Sequence, residues 1–431
     1  MVVGVFQRDR PWCDLLEFKI KNSQTRLCQP DLRGMEMTSL RFLNRSSVFF
    51  LSALILGLIT GCAAPVQKTE KFIFFPEPPE LPRIQFLTSF TSEKDLLAEV
   101  SAFDTFVIGE KMDVRLDKPY GVALYEGKIY VCDTNETVMV FDLNKKTLER
   151  FAGAQGLGRL IQPINITVDQ DGNKYVADTG RGQVVIFGRD DQYRTAIGKF
   201  GTWRPVDAAV FGDLLYVADI KNGLIKVFDK TSGAEVKEFG KKGKPEENLY
   251  MPTNIAFDQE GNLYITDTGR FKIFRYDRDG HLLRTLGGLG SASGQFARPK
   301  GIATDRNNRV YVVDAAFANV QVFDPSGQLL LFFSKQGYGR GDLYLPAQVV
   351  VDYDHIRFFE KYAEPDFAIE ALIVVTSQFD RRLVNVFGLG KLRSKRYPED
   401  EELLKELQEK DRKLREEQRE GAPKGDEQEK K

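Results

Sequence analysis

Between about residues 117 and 388, apolar and polar positions alternate in short runs separated by turns rich in glycine, asparagine and aspartate. Such alternation in β-branched and aromatic residues predicts antiparallel strands joined as hairpins. The pattern also repeats. Six times a proline stands two residues before a small or amide side chain: PYGVAL from 119, PINITV from 163, PVDAAV from 205 (with aspartate at that place), PTNIAF from 252, PKGIAT from 299 and PAQVVV from 346. The spacing is 42 to 47 residues. Each run leads into a turn such as DQDGN (169–173) or DQEGN (258–262), and then into a second apolar run. These second runs are YVCDT, YVADTG, YVADI, YITDTG, YVVDA and the degenerate IVVTS. A third run closes on an aromatic residue, as in VMVFD, QVVIF and VQVFD, and in the first five units a fourth follows, as in TLERFAG.

Four antiparallel strands at a period of about 45 residues make one propeller blade. The expected fold is therefore all-β, a six-bladed β-propeller over residues 83–391. The period falls in the WD40 range, but the Gly-His and Trp-Asp signatures are missing. The residues instead resemble the NHL repeat, with its P-x-G-I-A, G-N-x-Y-V-x-D and V-x-V-F pattern. The resemblance covers about 117–388. It departs in unit three, where PVD replaces P-x-G, and in unit six, where Thr376 is read in place of the aspartate.

The strand count is one short. Unit six ends at its third run, LVNVFGLGKL, and a charged segment begins at once. An open ring would leave unpaired strand edges, which invite aggregation. PRIQFLTSF (82–90) has strand alternation, so residues 83–90 are expected to complete blade six and close the ring. PEPPELP (76–82) reads as an extended spacer within a proline-rich tether, 62–82. SEKDLLAEVS (92–101) has a capping serine and helical spacing, which predicts a short helix. Residues 352–370 lengthen the first hairpin of blade six and carry Phe358, Phe359, Tyr362 and Phe367. A loop this long is often functional; packing of its aromatics onto the propeller is the favoured reading. The tail, 392–431, pairs Glu401 with Lys405 and Glu406 with Lys410 around a thin stripe of Leu403, Leu407 and Leu414. That pattern predicts a solvated, charged helix rather than core.

Upstream, the apolar run VFFLSALILGLITG (48–61) ends at Cys62. A bilayer-spanning helix needs about 20 apolar residues, so the run is too short to cross. Arg41 and Arg45 precede it, which gives the basic, apolar, small-residue order of a secretory signal. Ile59-Thr60-Gly61-Cys62 resembles the lipobox of bacterial lipoproteins. The resemblance implies cleavage between Gly61 and Cys62, lipid on Cys62 and export; Ala63 implies the outer membrane, facing the periplasm. Each buried methylene of such a lipid adds about 0.8 kcal/mol of membrane affinity. Met37 gives a signal of ordinary length, 37–61, and residues 1–36 read as an upstream start or as discarded with the signal.

A formal net charge of −1 argues against a nucleic-acid partner, which requires a basic surface. Cys13 and Cys28 lie upstream of the cut and Cys62 would carry lipid, leaving Cys132 and no disulfide. His281 and His355, the two histidines, fall in a turn and in the long loop. Asp133, Asp178, Asp219, Asp267 and Asp314 end the second runs. They are expected to accept backbone N–H groups of the following turns rather than to ring a metal. DQDGN lacks the later glutamate of a calcium loop and reads as a hairpin turn. Strand topology gathers Tyr120, Arg181, Trp203, Tyr250, Arg270 and Lys300 around one mouth of the channel, a composition typical of interface anchors. The expectation is a monomeric, membrane-anchored propeller that binds a protein partner or ligand without metal or cofactor. The alternative is a metal-dependent lyase or lactonase working in the central channel.

Overall fold

The computed structural model describes residues 72–97 and 114–398, apart from 136, 242–244 and 380, together with Lys405, Glu409 and Arg412. The signal segment, Cys62 and most of the charged tail lie outside the described residues. Strands β1 (Ile73–Phe75) and β2 (Ile84–Phe90) precede the repeats. Blade one comprises β3 (Pro119–Tyr125), β4 (Lys128–Asp133), β5 (Thr137–Asp142) and β6 (Thr147–Arg150). Blades two to five repeat this plan, with first strands β7 (Pro163–Val168), β11 (Pro205–Phe211), β15 (Pro252–Phe257) and β19 (Pro299–Thr304). Blade six begins with β23 (Pro346–Asp352), β24 (Phe367–Ser377) and β25 (Val384–Leu392). Every blade is a separate antiparallel sheet. The first strands of successive blades pack in a ring, and that of blade six packs on that of blade one. The chain is a six-bladed β-propeller.

Burial explains why the second runs read as almost continuously apolar. The second strand lies inside its sheet and is covered on both faces by the neighbouring blades. Val131, Val176, Val217, Ile265, Val312 and Val374 are all fully buried. The core is accordingly six apolar layers, one between each pair of adjacent blades. Fourth strands are outermost and carry more exposed positions.

The ring closes through β2, which pairs antiparallel with β25 in the register Ile84–Leu389, Phe86–Phe387 and Phe90–Val384. β1 then adds a fifth strand, pairing Ile73 with Phe86 and Phe75 with Ile84. Part of the stretch read as a tether therefore belongs to the sheet, and PEPPELP turns the chain between β1 and β2. Packing is the reason. Phe75 meets Phe333 and Phe387 at ring distances of 6.1 and 6.2 Å, in a cluster that also holds Phe86. The expected helix after β2 is a single 3-10 turn, Glu93–Leu96, where Asp95 accepts the Thr91 and Ser92 N–H groups; residues 98–113 lie outside the described residues.

The long loop of blade six is a clamp. Phe359 is buried in the layer between blades six and one. The buried N–H of Gly127, in blade one, donates to His355 Nε2 at 2.9 Å, and His355 Nδ1 lies 2.8 Å from Asp352. An N–H can only donate, so Nε2 is unprotonated and Nδ1 carries the proton given to Asp352. Gln85, on the closing strand, donates to Tyr362 O and accepts from Glu364 N. The loop thus fastens the closing strand and blade one to blade six. In the tail, the three described positions are helical, and Arg412 pairs with Glu409 at 2.8 Å.

Candidate functional site

The aspartates that end the second strands are structural. Asp178 accepts from Ile161 N and Gln162 N, at 2.6 and 2.9 Å, in the loop entering its blade, and from Arg181 N in the following turn. Asp267 does the same for Tyr250, Met251 and Arg270. Their lone pairs are committed to backbone donors, and each carboxylate fastens two loops together. In blade six the register opposes Pro346 to Ser377, so Ser377, not Thr376, occupies the aspartate position. Thr376 instead donates to Tyr120 O in blade one. In the turn DQDGN, Asp169 accepts from Asp171 N and Asn173 N, which makes it a hairpin staple.

The six residues read as a binding face divide by role. Trp203 is buried against Phe228 and donates to Gly182 O at 2.7 Å, so it packs blade two on blade three and offers no contact surface. Arg181 donates to the carbonyls of Leu157 and Arg159, and Arg270 to those of Asn248 and Pro245. Both guanidiniums hold the loops that enter their blades. Tyr250 is 59 % exposed beside Arg270. Tyr120 and Lys300 meet at 3.0 Å, with the ammonium 5.1 Å from the ring centre, and bridge the channel mouth.

The loops that Arg181 and Arg270 brace present a feature that strand patterning passed over. Leu157, Phe200, Tyr250, Leu289, Tyr338 and Phe379 are 48 to 76 % exposed. All lie in loops that enter a first strand or join second to third strands, and alternation puts those loops on one face. Tyr338, Tyr344 and Phe379 form an aromatic group there, with ring distances of 5.3 and 6.5 Å. The signal in the sequence was the apolar residues set among glycines and charges, as in GLGRLI and GGLGSASG. The opposite face differs: its turns between first and second strands expose Glu126, Asp171, Asp213, Glu260 and Asp354.

Inside the channel, the third residue of each first strand forms a belt: Gly121, Asn165, Asp207, Asn254, Gly301 and Gln348. Pairing is irregular at this level in every blade, which turns these residues toward their neighbours. The glycines are required by close approach: a Cβ on Gly121 would stand 2.2 Å from Asn165 Oδ1. Asn165, Asp207 and Gln348 each accept the N–H of the next residue. Asp207 Oδ2 also accepts from Ile255 N at 2.8 Å. Burial pushes the Asp207 carboxyl up to about 7, against the lowering effect of the Ile255 and Ala208 N–H groups and the Asn165 and Asn254 amides. The one mark of Asp207 in the sequence was the departure of PVD from P-x-G.

By its strand pairing the chain is a propeller of six blades, four of whose strands per blade follow the repeat. No family model matches the sequence. Among solved structures it is similar to an auxiliary nutrient binding protein from Bacteroides thetaiotaomicron VPI-5482, at 13 % identity over 63 % of this chain and 70 % of that one, with a TM-score of 0.48. A gluconolactonase from Xanthomonas campestris gives 16 % identity over 72 % and 98 % of the two chains, with a TM-score of 0.47. A virginiamycin B lyase from Staphylococcus aureus gives 13 % over 63 % and 95 %, with a TM-score of 0.44. At these identities the likeness is one of fold.

Proposed function

We propose that the protein is an exported, lipid-anchored propeller that captures a protein partner on its apolar loop face and performs no chemistry there. The observation that carries this reading is the set of large apolar side chains left in water on that face, Leu157, Phe200, Leu289 and Tyr338 foremost. Exposed apolar patches rimmed by polar groups mark interaction surfaces, because covering them removes their contact with water. The loops are also braced: Arg181 and Arg270 fix their carbonyls, so little ordering cost remains on binding. Anchoring rests on the lipobox resemblance at Gly61-Cys62, with the outer membrane facing the periplasm as the proposed location. Among the described residues, no helix is long and apolar enough to cross a membrane. A monomeric propeller suits this role, since the ring closes within one chain.

The test is capture from detergent-solubilised membranes with the full chain as bait. The variant Leu157→Asp/Phe200→Asp/Leu289→Asp should lose at least about tenfold of the captured partner, while Asp171→Ala/Asp213→Ala on the other face should not. Equal loss from both faces rejects the loop face. Cys62→Ser should leave an uncleaved, unlipidated chain; unchanged mature mass and membrane partitioning reject the anchor. Stoichiometric metal held by the purified propeller would instead favour the lyase or lactonase alternative.

A further inference from the structure

The loops that enter the first strands of blades two to six share one composition. Each exposes a large apolar side chain and a cation: Leu157 with Arg159, Phe200 with Lys199, Tyr250 with Lys241, Leu289 with Arg298, and Tyr338 with Lys335. Among the described residues, Arg159, Lys199, Arg298 and Lys335 have no carboxylate partner, and Lys241 donates to the Leu249 carbonyl at 3.0 Å. Lys118, Arg204, Lys221 and Arg381 add further exposed cations, against the carboxylates of Glu93, Asp95, Asp117, Glu247 and Asp342. On the opposite face, cations and acids pair: Arg189 with Glu126, Lys230 with Asp171 and Arg275 with Glu260.

The N-terminal strand approaches from the same side. β1 lies antiparallel to β2, with Ile73 opposite Phe86 and Phe75 opposite Ile84. β2 runs toward the loop face and ends at Phe90, opposite Val384. Followed back from Phe75 to Ile73, the chain therefore heads for the loop face. The stretch of β2 from Phe86 to Phe90 measures what remains, a rise of about 13 Å. Phe72 follows Cys62 by ten residues, which reach at most about 35 Å. An anchor at Cys62 can thus hold the loop face on a membrane without the chain passing round the propeller.

Apolar side chains set among cations fit an anionic lipid surface. The apolar tips enter the boundary between headgroups and acyl chains, while the cations meet phosphates. Successive blades carry these loops around the axis, so the contacts form a ring, which suits a planar surface. We propose that the loop face docks on an anionic lipid surface, that of the membrane holding the anchor. The proposal rests on the reading of this face as the interaction surface and of Cys62 as the anchor, and it locates the captured protein. A partner of this face is one presented in that bilayer, where it displaces lipid. Each cation near an anionic surface strengthens binding about fivefold. The anchor supplies the high local concentration at which such contacts persist.

Proteoliposomes carrying the lipidated chain, expressed in full, test the proposal. Their lipid is phosphatidylcholine alone or with about 30 % phosphatidylglycerol, with brominated acyl chains as quencher. Phe200→Trp on the loop face and Asp171→Trp on the other report contact with lipid, read against the fluorescence of the parent. In anionic vesicles, Phe200→Trp should be quenched at least about twofold more than Asp171→Trp. The difference should shrink in phosphatidylcholine alone and in about 0.5 M sodium chloride, which screens the cations. Adding Arg159→Glu, Lys199→Glu and Lys335→Glu to Phe200→Trp alters exposed side chains, and should remove the quenching with the circular dichroism unchanged. Equal quenching at both faces, quenching indifferent to anionic lipid, or none at Phe200→Trp would each overturn the proposal. If capture of a protein is still lost in the loop-face triple variant while Phe200→Trp stays unquenched, the face belongs to protein alone and the protein-binding reading survives. Quenching without such capture rejects that reading and supports this one.

Discussion

Replacing Asp207 by asparagine should reverse the sign of a stability change across the pH range. Burial raises this carboxyl from an ordinary 3.8 to about 7 in the folded chain. The native state then holds a proton that the unfolded chain releases between about pH 4 and 7, so stability falls as pH rises through that window. At about 1.4 kcal/mol per pH unit, the loss is about 4 kcal/mol, fully developed above pH 7 and absent below pH 4. Asparagine cannot ionise, so the variant escapes the loss. It carries a constant cost instead: one of the N–H groups of Ala208 and Ile255 then faces an NH₂, for about 1–3 kcal/mol. Asp207→Asn should therefore be less stable than the parent at pH 4 and more stable by about 1–3 kcal/mol at pH 8, with the curves crossing between about pH 4.5 and 6. Urea unfolding at each pH measures this. Trp203 is a suitable fluorescence probe, being one of the two tryptophans and buried between blades two and three. Coincident transitions by circular dichroism establish that a single free energy is being read. Parallel pH curves for parent and variant would refute the reasoning.

Two further outcomes follow from the ring closure. His355→Ala removes the acceptor of the buried Gly127 N–H and should cost about 1–3 kcal/mol, with faster hydrogen exchange at Gly127 than at equivalent turns of blades two to four; unchanged protection there would discount the clamp. Phe387→Ala opens the cluster that joins β1, β2, blade five and blade six and should cost about 3–5 kcal/mol, whereas removal of residues 399–431 should leave the urea midpoint unchanged.

The repeated blades were legible because their causes are local. Alternation, turn residues and the recurring proline act over a few neighbours, and six copies of one pattern reinforce one another. The closing strand was legible for a similar reason: a sixth unit lacking its last strand and an isolated alternating run before the first unit complete each other. The pairing of 83–90 with β25 needed no further information. The fifth strand was not legible, since IFF is too short to read as a strand; Phe75 takes its place by meeting Phe333 and Phe387 from blades five and six.

The sites depended on geometry that no local pattern records. Trp203 and Arg181 looked like surface anchors by residue type, yet one fills a layer between blades and the other binds loop carbonyls. Thr376 appeared to replace an aspartate, but strand pairing opposes Pro346 to Ser377 just as it opposes Pro299 to Asp314, which gives that position to Ser377. Asn165, Asp207, Asn254 and Gln348 are separated by 42 to 94 residues in the chain and read singly as variants of a glycine position. The sequence by itself determined the strands, the blade count and the closure, because hydrogen-bonded hairpins are specified by neighbouring residues. Only the tertiary structure decided which polar side chains converge at the axis and which apolar ones stay in water, because burial is a property of how six distant segments meet.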